Sequence, residues 1–359
     1  MESNYCRVTY YIEEEDVSAW IYPPADDIII TIILPILMGL GLISNSTFLL
    51  IIFRIPKMRS DTNIILAHLA ISDLLFLATS VLQYMWSYYT SIVIYNEPYQ
   101  SSAGCVIHAG LTNIGYFAAI LLVTMVSFER YLAMCHPVKH LKIRGRKRTN
   151  RLVAICWVVG IVISALTVPL WADYQTDMCL RWPENDTYQG FPSTMSYCRP
   201  LAPWIIHVVI PLLNFPWTIL MVANVFMFVG IVRALHNRVG ANVVKDDQKA
   251  QQVRNQVAKM LVVNGIIFFI CHIPYRVFSF SWWICYVAQI PNPLDLVFGD
   301  TLQKWITALP QLINTCINPL IYGAMNSQYR LAFKQVFLCK AKQRPRSVST
   351  MSRTEMTGV

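Results

Sequence analysis

The chain has 359 residues, of which 55% are hydrophobic and 14% are charged, whereas an average soluble domain has about 25% charged residues. A chain this long with so few charges does not cover a globular surface with polar groups, so most of its exterior is expected to face hydrocarbon. These proportions argue against a soluble enzyme. The net charge of +9 would suit nucleic-acid binding as well, so the position of the basic residues decides its meaning.

Seven apolar segments are long enough to cross a bilayer core, which is about 30 Å thick and needs about 20 helical residues. Clusters of charge, proline or glycine bound them, and no repeat with a period of about 20 to 50 residues is present. We therefore predict an all-α membrane protein. The predicted spans are Ile28–Phe53, Asn63–Tyr88, Cys105–Ala133, Leu152–Trp171, Trp204–Val232, Ala258–Val287 and Leu302–Tyr322.

The charges are unequally divided between the two sides of these spans. The segments after the first, third and fifth spans, together with the C-terminal segment, hold 23 of the 29 Lys and Arg residues, and the opposite side holds 14 of the 20 acidic residues. Basic loops remain cytoplasmic, so the N-terminus is predicted to be extracellular and the C-terminus cytoplasmic. Residues 1–27 lack the pattern of a cleaved signal peptide and are interpreted as a free acidic tail. This polarity explains the net charge without a nucleic-acid partner.

The predicted outer side also carries modification signals. Five cysteines lie there or at the outer boundary, where disulfides form, but the spacing leaves their connectivity open. Asn185 begins an Asn-X-Thr sequon in the long loop between the fourth and fifth spans and is a glycosylation candidate. Asn45 also begins a sequon, but it lies inside the first span and is dismissed.

Polar residues and prolines inside the spans suggest a mechanism. Asp73 lies mid-span, where a charged group costs roughly 2.5–3.5 kcal/mol, so it is expected to face the bundle interior; a protonated Asp bonded between helices is the alternative. Pro274 and Pro319 each remove a backbone hydrogen bond and predict kinks. The Glu129-Arg130-Tyr131 sequence, taken alone, is also compatible with an ordinary interfacial charge cluster.

Together these features resemble the rhodopsin-like family of G-protein-coupled receptors, over about residues 28–340. The matching positions are Asn45, Asp73, Cys105, Glu129-Arg130-Tyr131, Trp157, Pro274 and Asn318-Pro319 with Tyr322. Pro216, with Asn224 eight residues on, fits the fifth-span proline better than Pro211, as in some FMRFamide-type peptide receptors. The resemblance implies a seven-transmembrane helix bundle at 28–325, an amphipathic helix at 326–340 and a disordered cytoplasmic tail at 341–359. It also implies a receptor without a cofactor, a metal or enzymatic activity.

The resemblance implies roles for the buried motif residues. Arg130 would pair with Glu129 at rest and contact a heterotrimeric G protein after activation. Asp73, Asn314 and Asn318 would form a network that many members use to hold sodium, although Ala119 replaces the usual serine. His272 replaces an aromatic residue and would be a rotamer switch or a plain hydrogen-bonded histidine. The activation and coupling residues are Asp73, Glu129, Arg130, Tyr131, His272, Pro274, Asn314, Asn318, Pro319 and Tyr322.

The resemblance also bears on the ligand. Thr112 occupies the position of the acid in amine receptors, and Leu312 that of the retinal lysine in opsins, so both classes are disfavoured. Tyr275-Arg276 resembles the sequence in thyrotropin-releasing-hormone receptors and implies a short, C-terminally amidated neuropeptide. The alternative is an Arg276 that snorkels outward or pairs with a loop acid. The expected ligand-binding residues are Gln83, Thr112, Asn113, Tyr116, Tyr275, Arg276, Lys304 and Gln311.

The family disulfide would join Cys105 to the second extracellular loop, with Cys198 preferred and Cys179 left for Cys6 or Cys285. Arg330 and Lys334 in the amphipathic helix would be available to lipid headgroups. Cys339 is a palmitoylation candidate, and the Ser- and Thr-rich tail would recruit arrestin after phosphorylation.

The favoured reading is a plasma-membrane receptor for an extracellular peptide. A transporter or channel would predict inverted repeats or a pathway of intramembrane charges, and the sequence has neither. A chemosensory or lipid receptor on the same fold would be favoured by a mostly apolar pocket with Arg276 turned away.

Overall fold

The computed structural model describes residues 6–238 and 245–337. Within them, seven long helices form a bundle, and a short helix follows. The long helices are α1 (Pro24–Arg54), α2 (Asp61–Thr90), α3 (Ser102–Cys135), α4 (Arg146–Thr167), α5 (Ile205–Arg238), α6 (Lys245–Ala288) and α7 (Pro293–Met325). The helix that follows is α8 (Ser327–Phe337). Shorter helices lie at Val17–Trp20 and Pro137–Ile143.

Among the described residues, six helices, α1 to α6, are long and apolar enough to cross a membrane. The seventh helix, α7, is more polar because it carries Gln303, Lys304, Gln311, Asn314 and Asn318. It nevertheless packs against α1, α2 and α6 within the same bundle. The polar side chains of Gln311, Asn314 and Asn318 are buried inside the bundle.

The exterior of the bundle is apolar, as the composition indicates. Ile43, Ile219 and Phe226 each expose about two thirds of their surface, which is the arrangement expected for helices surrounded by lipid. The interior contains tightly packed side chains such as Leu122 and Phe268. A Cβ at Gly115 would lie 2.9 Å from the backbone nitrogen of Phe76, so the glycine permits the close approach of α3 to α2.

The N-terminal segment is not a free tail. Strand β1 (Val8–Tyr11) pairs in parallel with β2 (Asp173–Arg181), which pairs antiparallel with β3 (Thr194–Arg199). The Cys6–Cys179 disulfide fastens β1 to this sheet. The expectation of a free tail was wrong because the segment contributes Ile12 and Val17 to a small buried core shared with the loops.

A second disulfide joins Cys105 at the N-terminal end of α3 to Cys198 in β3, which is the pairing that the resemblance implied. Cys285 is a buried free thiol, so it is not the partner of Cys179. The Cys105–Cys198 disulfide attaches β3 to the N-terminal end of α3, and the Cys6–Cys179 disulfide attaches the N-terminal segment to β2, so the sheet is held beside this end of the bundle.

A buried ion pair ties α1 to α7 near the same end. The Asp26 carboxylate is 1% exposed and lies 2.9 Å from Lys304 Nζ. Trp305 Nε1 donates to the other carboxylate oxygen at 2.6 Å. Lys304 Nζ also lies over the rings of Tyr22 and Tyr84, so both charges are compensated inside the protein.

Candidate functional site

A cavity of about 200 Å³ lies between α2, α3, α5, α6 and α7. Six of the eight expected ligand-binding residues line it: Thr112, Asn113, Tyr116, Tyr275, Arg276 and Gln311. Their convergence from three helices is a structural fact that the sequence resemblance alone did not establish. The remaining walls are Phe76, Ser80, Tyr84, Leu213, Thr307, Ala308 and Leu312.

Arg276 is the most unusual residue of this cavity because it is a buried cation, 3% exposed. Its Nη1 donates to the carbonyl oxygen of Leu213 at 2.7 Å and lies 3.3 Å from Asn214 Oδ1. Its Nη2 donates to the hydroxyl of Tyr116. The guanidinium thus neither snorkels outward nor pairs with a loop acid, and that alternative was wrong.

Aromatic rings surround the same guanidinium. Its central carbon lies 4.9 Å from the ring centroids of Tyr116 and Tyr275 and 5.7 Å from that of Trp217, distances at which cation–π attraction operates. Arg276 Nε has no hydrogen-bond partner among the described residues. The site therefore presents a fixed positive charge with one donor still to be satisfied.

Two expected ligand-binding residues lie elsewhere. Gln83 Nε2 donates to Glu97 in the first outer loop, and Gln83 Oε1 accepts a hydrogen bond from the hydroxyl of Tyr99. Lys304 pairs with Asp26. Neither lines this cavity, because the polar groups of both side chains are engaged by other residues, and their role in ligand binding stays a prediction.

The polar groups of the cavity wall are partly engaged by their own neighbours. Asn113 Nδ2 donates to Thr167 Oγ1 at 3.0 Å, and Gln311 Nε2 donates to the carbonyl oxygen of Thr307 at 2.8 Å. Their amide oxygens are the acceptors that remain for a ligand. The cavity thus offers acceptors from α3 and α7 opposite a donor from α6.

His272 lies one helical turn below Arg276 and makes contact with the floor of the site. Its ring packs 5.5 Å from that of Tyr116 and stacks on Phe268 at 4.2 Å. Nδ1 lies 2.7 Å from the carbonyl oxygen of Phe268, so the proton is on Nδ1 because a carbonyl only accepts. Pro274 lies within α6 between these residues, which places the ring contacts beside an interrupted backbone hydrogen bond.

Of the polar network predicted around Asp73, the described part of the chain has one hydrogen bond, deeper in the bundle. Asn318 Nδ2 donates to Asp73 Oδ2 at 2.6 Å, while Asn314 has no hydrogen-bond partner for either amide atom among the described residues. Tyr322, after Pro319, is buried, and its hydroxyl is also without a partner there. These buried polar groups therefore lack some of the hydrogen bonds that buried groups usually make.

The C-terminal end of α3, which carries Glu129 and Arg130, departs from the expected pairing. Glu129 Oε1 lies 2.7 Å from Arg148 Nη2 of α4, and Glu129 Oε2 lies 3.6 Å from Nε2 of His140. Arg130 Nε has no partner among the described residues. No ion pair joins Glu129 to Arg130 among the described residues, because the two carboxylate oxygens of Glu129 face Arg148 and His140. The Tyr131 ring contacts that of His136.

The remaining candidates lie outside the cavity. Asn185 is exposed in the loop between β2 and β3. Arg330 Nη1 donates to the carbonyl oxygens of Gly323 and Ala324 at the end of α7, and Lys334 lies one turn later on α8. Cys339 and the predicted tail at 341–359 lie outside the described residues.

About half of the residues that line the cavity were not predicted from the sequence. Phe76, Ser80, Tyr84 and Leu213 are residue types found in any membrane span, and nothing marks them individually. The helical spacing of Phe76, Ser80 and Tyr84, four residues apart, was the available signal because it places them on one face of α2.

Comparisons with known proteins agree with this geometry. The sequence profile of the family described as "7 transmembrane receptor (rhodopsin family)" matches residues 44–322, well over half of the chain. The chain is 26% identical to neuromedin-U receptor 2 of Mus musculus, with 86% of the chain and 74% of the relative covered. It is 26% identical to somatostatin receptor type 2 of Mus musculus (89% and 80% covered).

It is also 25% identical to the thyrotropin-releasing hormone receptor of Homo sapiens, with 88% of the chain and 79% of the relative covered. These proteins are receptors and not enzymes. The family match spans the bundle from α1 to α7 and includes the Asp73 network and the Arg276 cavity. The chain therefore belongs to the rhodopsin family of seven-transmembrane receptors.

Proposed function

We propose that this receptor responds to a short extracellular peptide and signals through a heterotrimeric G protein from the plasma membrane. Its relatives are named as receptors for neuromedin U, somatostatin and thyrotropin-releasing hormone. The division of charge described above supports an extracellular N-terminus. The cavity lies below the β-sheet on that side, so a ligand would enter from outside.

Arg276 carries the proposal. Its hydrogen-bond partners are uncharged oxygens, from Leu213, Asn214 and Tyr116, so no carboxylate of the described residues forms an ion pair with it. A buried charge of this kind attracts a carboxylate or a strongly polar carbonyl. The C-terminal carboxamide or carboxylate of a peptide supplies such an oxygen for Nε. A lipid receptor is not favoured, because the guanidinium lines the cavity and does not turn away.

Binding at Arg276 would reach the cytoplasmic side through α6. His272, Pro274 and Arg276 lie within about one helical turn of α6. The ring of His272 contacts the ring of Tyr116 in α3. A ligand that binds more tightly to the active arrangement of α3 and α6 shifts the population toward it. Arg130 at the inner end of α3 would then become available to the G protein.

Several further functions follow the resemblance. Asn185 would carry a glycan, and α8 would lie on the inner membrane surface with Lys334 toward anionic headgroups. Cys339 would be palmitoylated, and the phosphorylated tail would bind arrestin. Asp73, Asn314 and Asn318 would supply the oxygen atoms of a sodium site, with Ala119 removing one ligand.

The test is a screen of cells that express the full chain against a library of neuropeptides, each supplied with an amidated and a free C-terminus. Intracellular calcium and cAMP are recorded, with untransfected cells as the control. We expect a response to a small set of related short peptides. A response confined to lipids or amines would contradict the proposal.

A further inference from the structure

A second cavity adjoins the Arg276 cavity on its outer side. It has a volume of about 470 Å³ and shares Leu213, Tyr275 and Thr307 with the first. Ligand pockets in proteins generally hold about 300–1,000 Å³, and the first cavity of about 200 Å³ falls below that range. A peptide end anchored at Arg276 would therefore extend into the second cavity.

The walls of the second cavity are aromatic and aliphatic. They include Trp171, Phe278 and Trp282, together with Ile206 and Ile210 from α5. Such walls favour an apolar side chain, and rings arranged around a cavity accept another ring in tilted or edge-to-face contact. The chemistry of this cavity thus differs from that of the Arg276 cavity, which it adjoins across Leu213, Tyr275 and Thr307.

One polar atom interrupts the apolar wall. Gln303 lines the second cavity, and its Oε1 is buried without a hydrogen-bond partner among the described residues. Gln303 lies four residues before Thr307, which lines both cavities, so the two share one face of α7. A buried acceptor is costly unless a donor reaches it.

We propose that the second cavity receives an aromatic side chain of the same ligand whose carbonyl group contacts Arg276, and that Gln303 Oε1 accepts a hydrogen bond from an N–H of that residue. The C-terminal amide of an aromatic residue combines three features: a carbonyl acceptor, a ring and an N–H donor. The inference rests on the proposed function, since it assumes that Arg276 binds the carbonyl end of a peptide. It adds the class of side chain that the receptor selects.

Two small probes test the assignment on the purified full-length receptor, by surface plasmon resonance. N-acetylphenylalaninamide carries the ring, and N-acetylalaninamide has the same backbone without it. We expect the phenylalanine probe to bind at least about tenfold more tightly than the alanine probe, equivalent to about 1.4 kcal/mol. The reason is that the phenylalanine probe has a ring to bury and the alanine probe has none. Equal affinities, or no binding of the phenylalanine probe up to about 10 mM, would overturn the proposal.

Variants that fill the second cavity test whether the preference for the phenylalanine probe arises there. Ile206→Trp fills the second cavity and should reduce the phenylalanine preference to about twofold or less, while the alanine probe is unaffected. Val208→Trp is the matched control, because Val208 lies on the same helix but is 55% exposed on the outer surface. Ile210→Phe provides a second filling variant should Ile206→Trp fail to fold. A preference unchanged in the folded filling variants would overturn the assignment.

Gln303→Leu should weaken the binding of both probes by about fivefold, since both carry N–H groups and the variant lacks the acceptor. Unchanged binding would overturn the role of Gln303.

Arg276→Ala separates the proposed function from the assignment of the aromatic subsite. One outcome is that Arg276→Ala binds neither probe and the wild type binds both probes equally well. That outcome supports the proposed function and overturns the aromatic subsite. A phenylalanine preference that survives Arg276→Ala overturns carbonyl recognition at Arg276 and leaves the aromatic subsite supported.

Discussion

At the scale of residues, the candidate site depends on one buried cation. The sequence marks Arg276 because a charge at membrane depth is costly and rarely accidental. The sequence does not reveal its partners, since the Leu213 carbonyl, Asn214 and the Tyr116 hydroxyl come from two other helices. The cost of burying Arg276 is thus offset by contacts that only the folded bundle brings together.

Tyr116→Phe tests this positioning. The substitution keeps the ring beneath the guanidinium and removes the hydroxyl that accepts a hydrogen bond from Nη2. A lost hydrogen bond to a charged group costs roughly 1.5–3 kcal/mol, so we expect agonist potency to fall by about tenfold or more. Tyr84→Phe, in the same cavity, is the control for loss of a hydroxyl. Concentration–response curves at equal surface expression provide the measurement, and wild-type potency for Tyr116→Phe would contradict the positioning role.

Glu97, in the loop between α2 and α3, gives a prediction about pH. Burial raises the pKa of Glu97 above its usual value, opposed by a hydrogen bond from Gln83, so the folded protein retains this proton to higher pH than the unfolded chain. The cost of ionisation is absent below the unfolded pKa and grows as the pH rises through the folded pKa. Glu97→Gln removes that cost.

We therefore expect Glu97→Gln to stabilise the receptor at neutral pH by about 1 kcal/mol, an ordinary size for a single substitution. The gain should disappear near pH 4, at about the unperturbed pKa of a glutamate. Thermal unfolding in detergent across this range measures it, with the exposed Glu184→Gln as the control. An equal gain in stability at both pH values would contradict the raised pKa of Glu97 as its cause.

At the scale of elements, the helices were more predictable than their connections. The predicted third span, Cys105–Ala133, falls within α3 at Ser102–Cys135, because long apolar runs reveal membrane helices directly. The pairing of β1 with β2 and the Asp26–Lys304 ion pair escaped prediction. Both join residues more than 150 positions apart, and short strands and single charges carry no signal of their partner.

The Cys105–Cys198 disulfide gives a prediction for one such connection. Removing a native disulfide typically costs 2–5 kcal/mol, so Cys105→Ala should markedly lower thermal stability and surface expression. Adding Cys198→Ala should have little further effect, because both substitutions remove the same bond. Additive losses in the double variant would contradict the pairing.

Cys6→Ala should have a smaller effect than Cys105→Ala. Backbone hydrogen bonds to β2 and burial of Ile12 and Val17 also hold the N-terminal segment in place. Flow cytometry of surface-labelled cells compares the two variants. A larger loss for Cys6→Ala would show that the disulfide, and not the sheet, anchors this segment.

At the scale of the whole molecule, the chain is strongly polarised in charge. The net charge of +9 combines a basic face with an acidic one, and the apolar surface between them faces lipid. The polarity was predictable from the sequence because loop charges determine orientation. The shape of the cavity was not, since six of its predicted residues and seven others converge only after the helices pack.

Glycosylation of Asn185 tests the orientation. Asn185 is exposed in the loop between β2 and β3, on the side predicted to be extracellular. Asn185→Gln should abolish the mobility shift that a glycosidase produces on gel electrophoresis. Asp186→Asn preserves the Asn-X-Thr sequon and should retain the shift. Absence of a shift in the wild type would contradict the expected glycosylation.

The most direct test of the central claim is the response of Arg276 variants to a peptide agonist identified in the calcium and cAMP screen. Arg276→Lys preserves the charge but loses the planar fork of donors, and Arg276→Ala loses both. At equal surface expression, we expect potency to fall by about tenfold for Arg276→Lys and about a hundredfold or more for Arg276→Ala. Wild-type potency in Arg276→Ala would contradict recognition of the ligand by this buried cation.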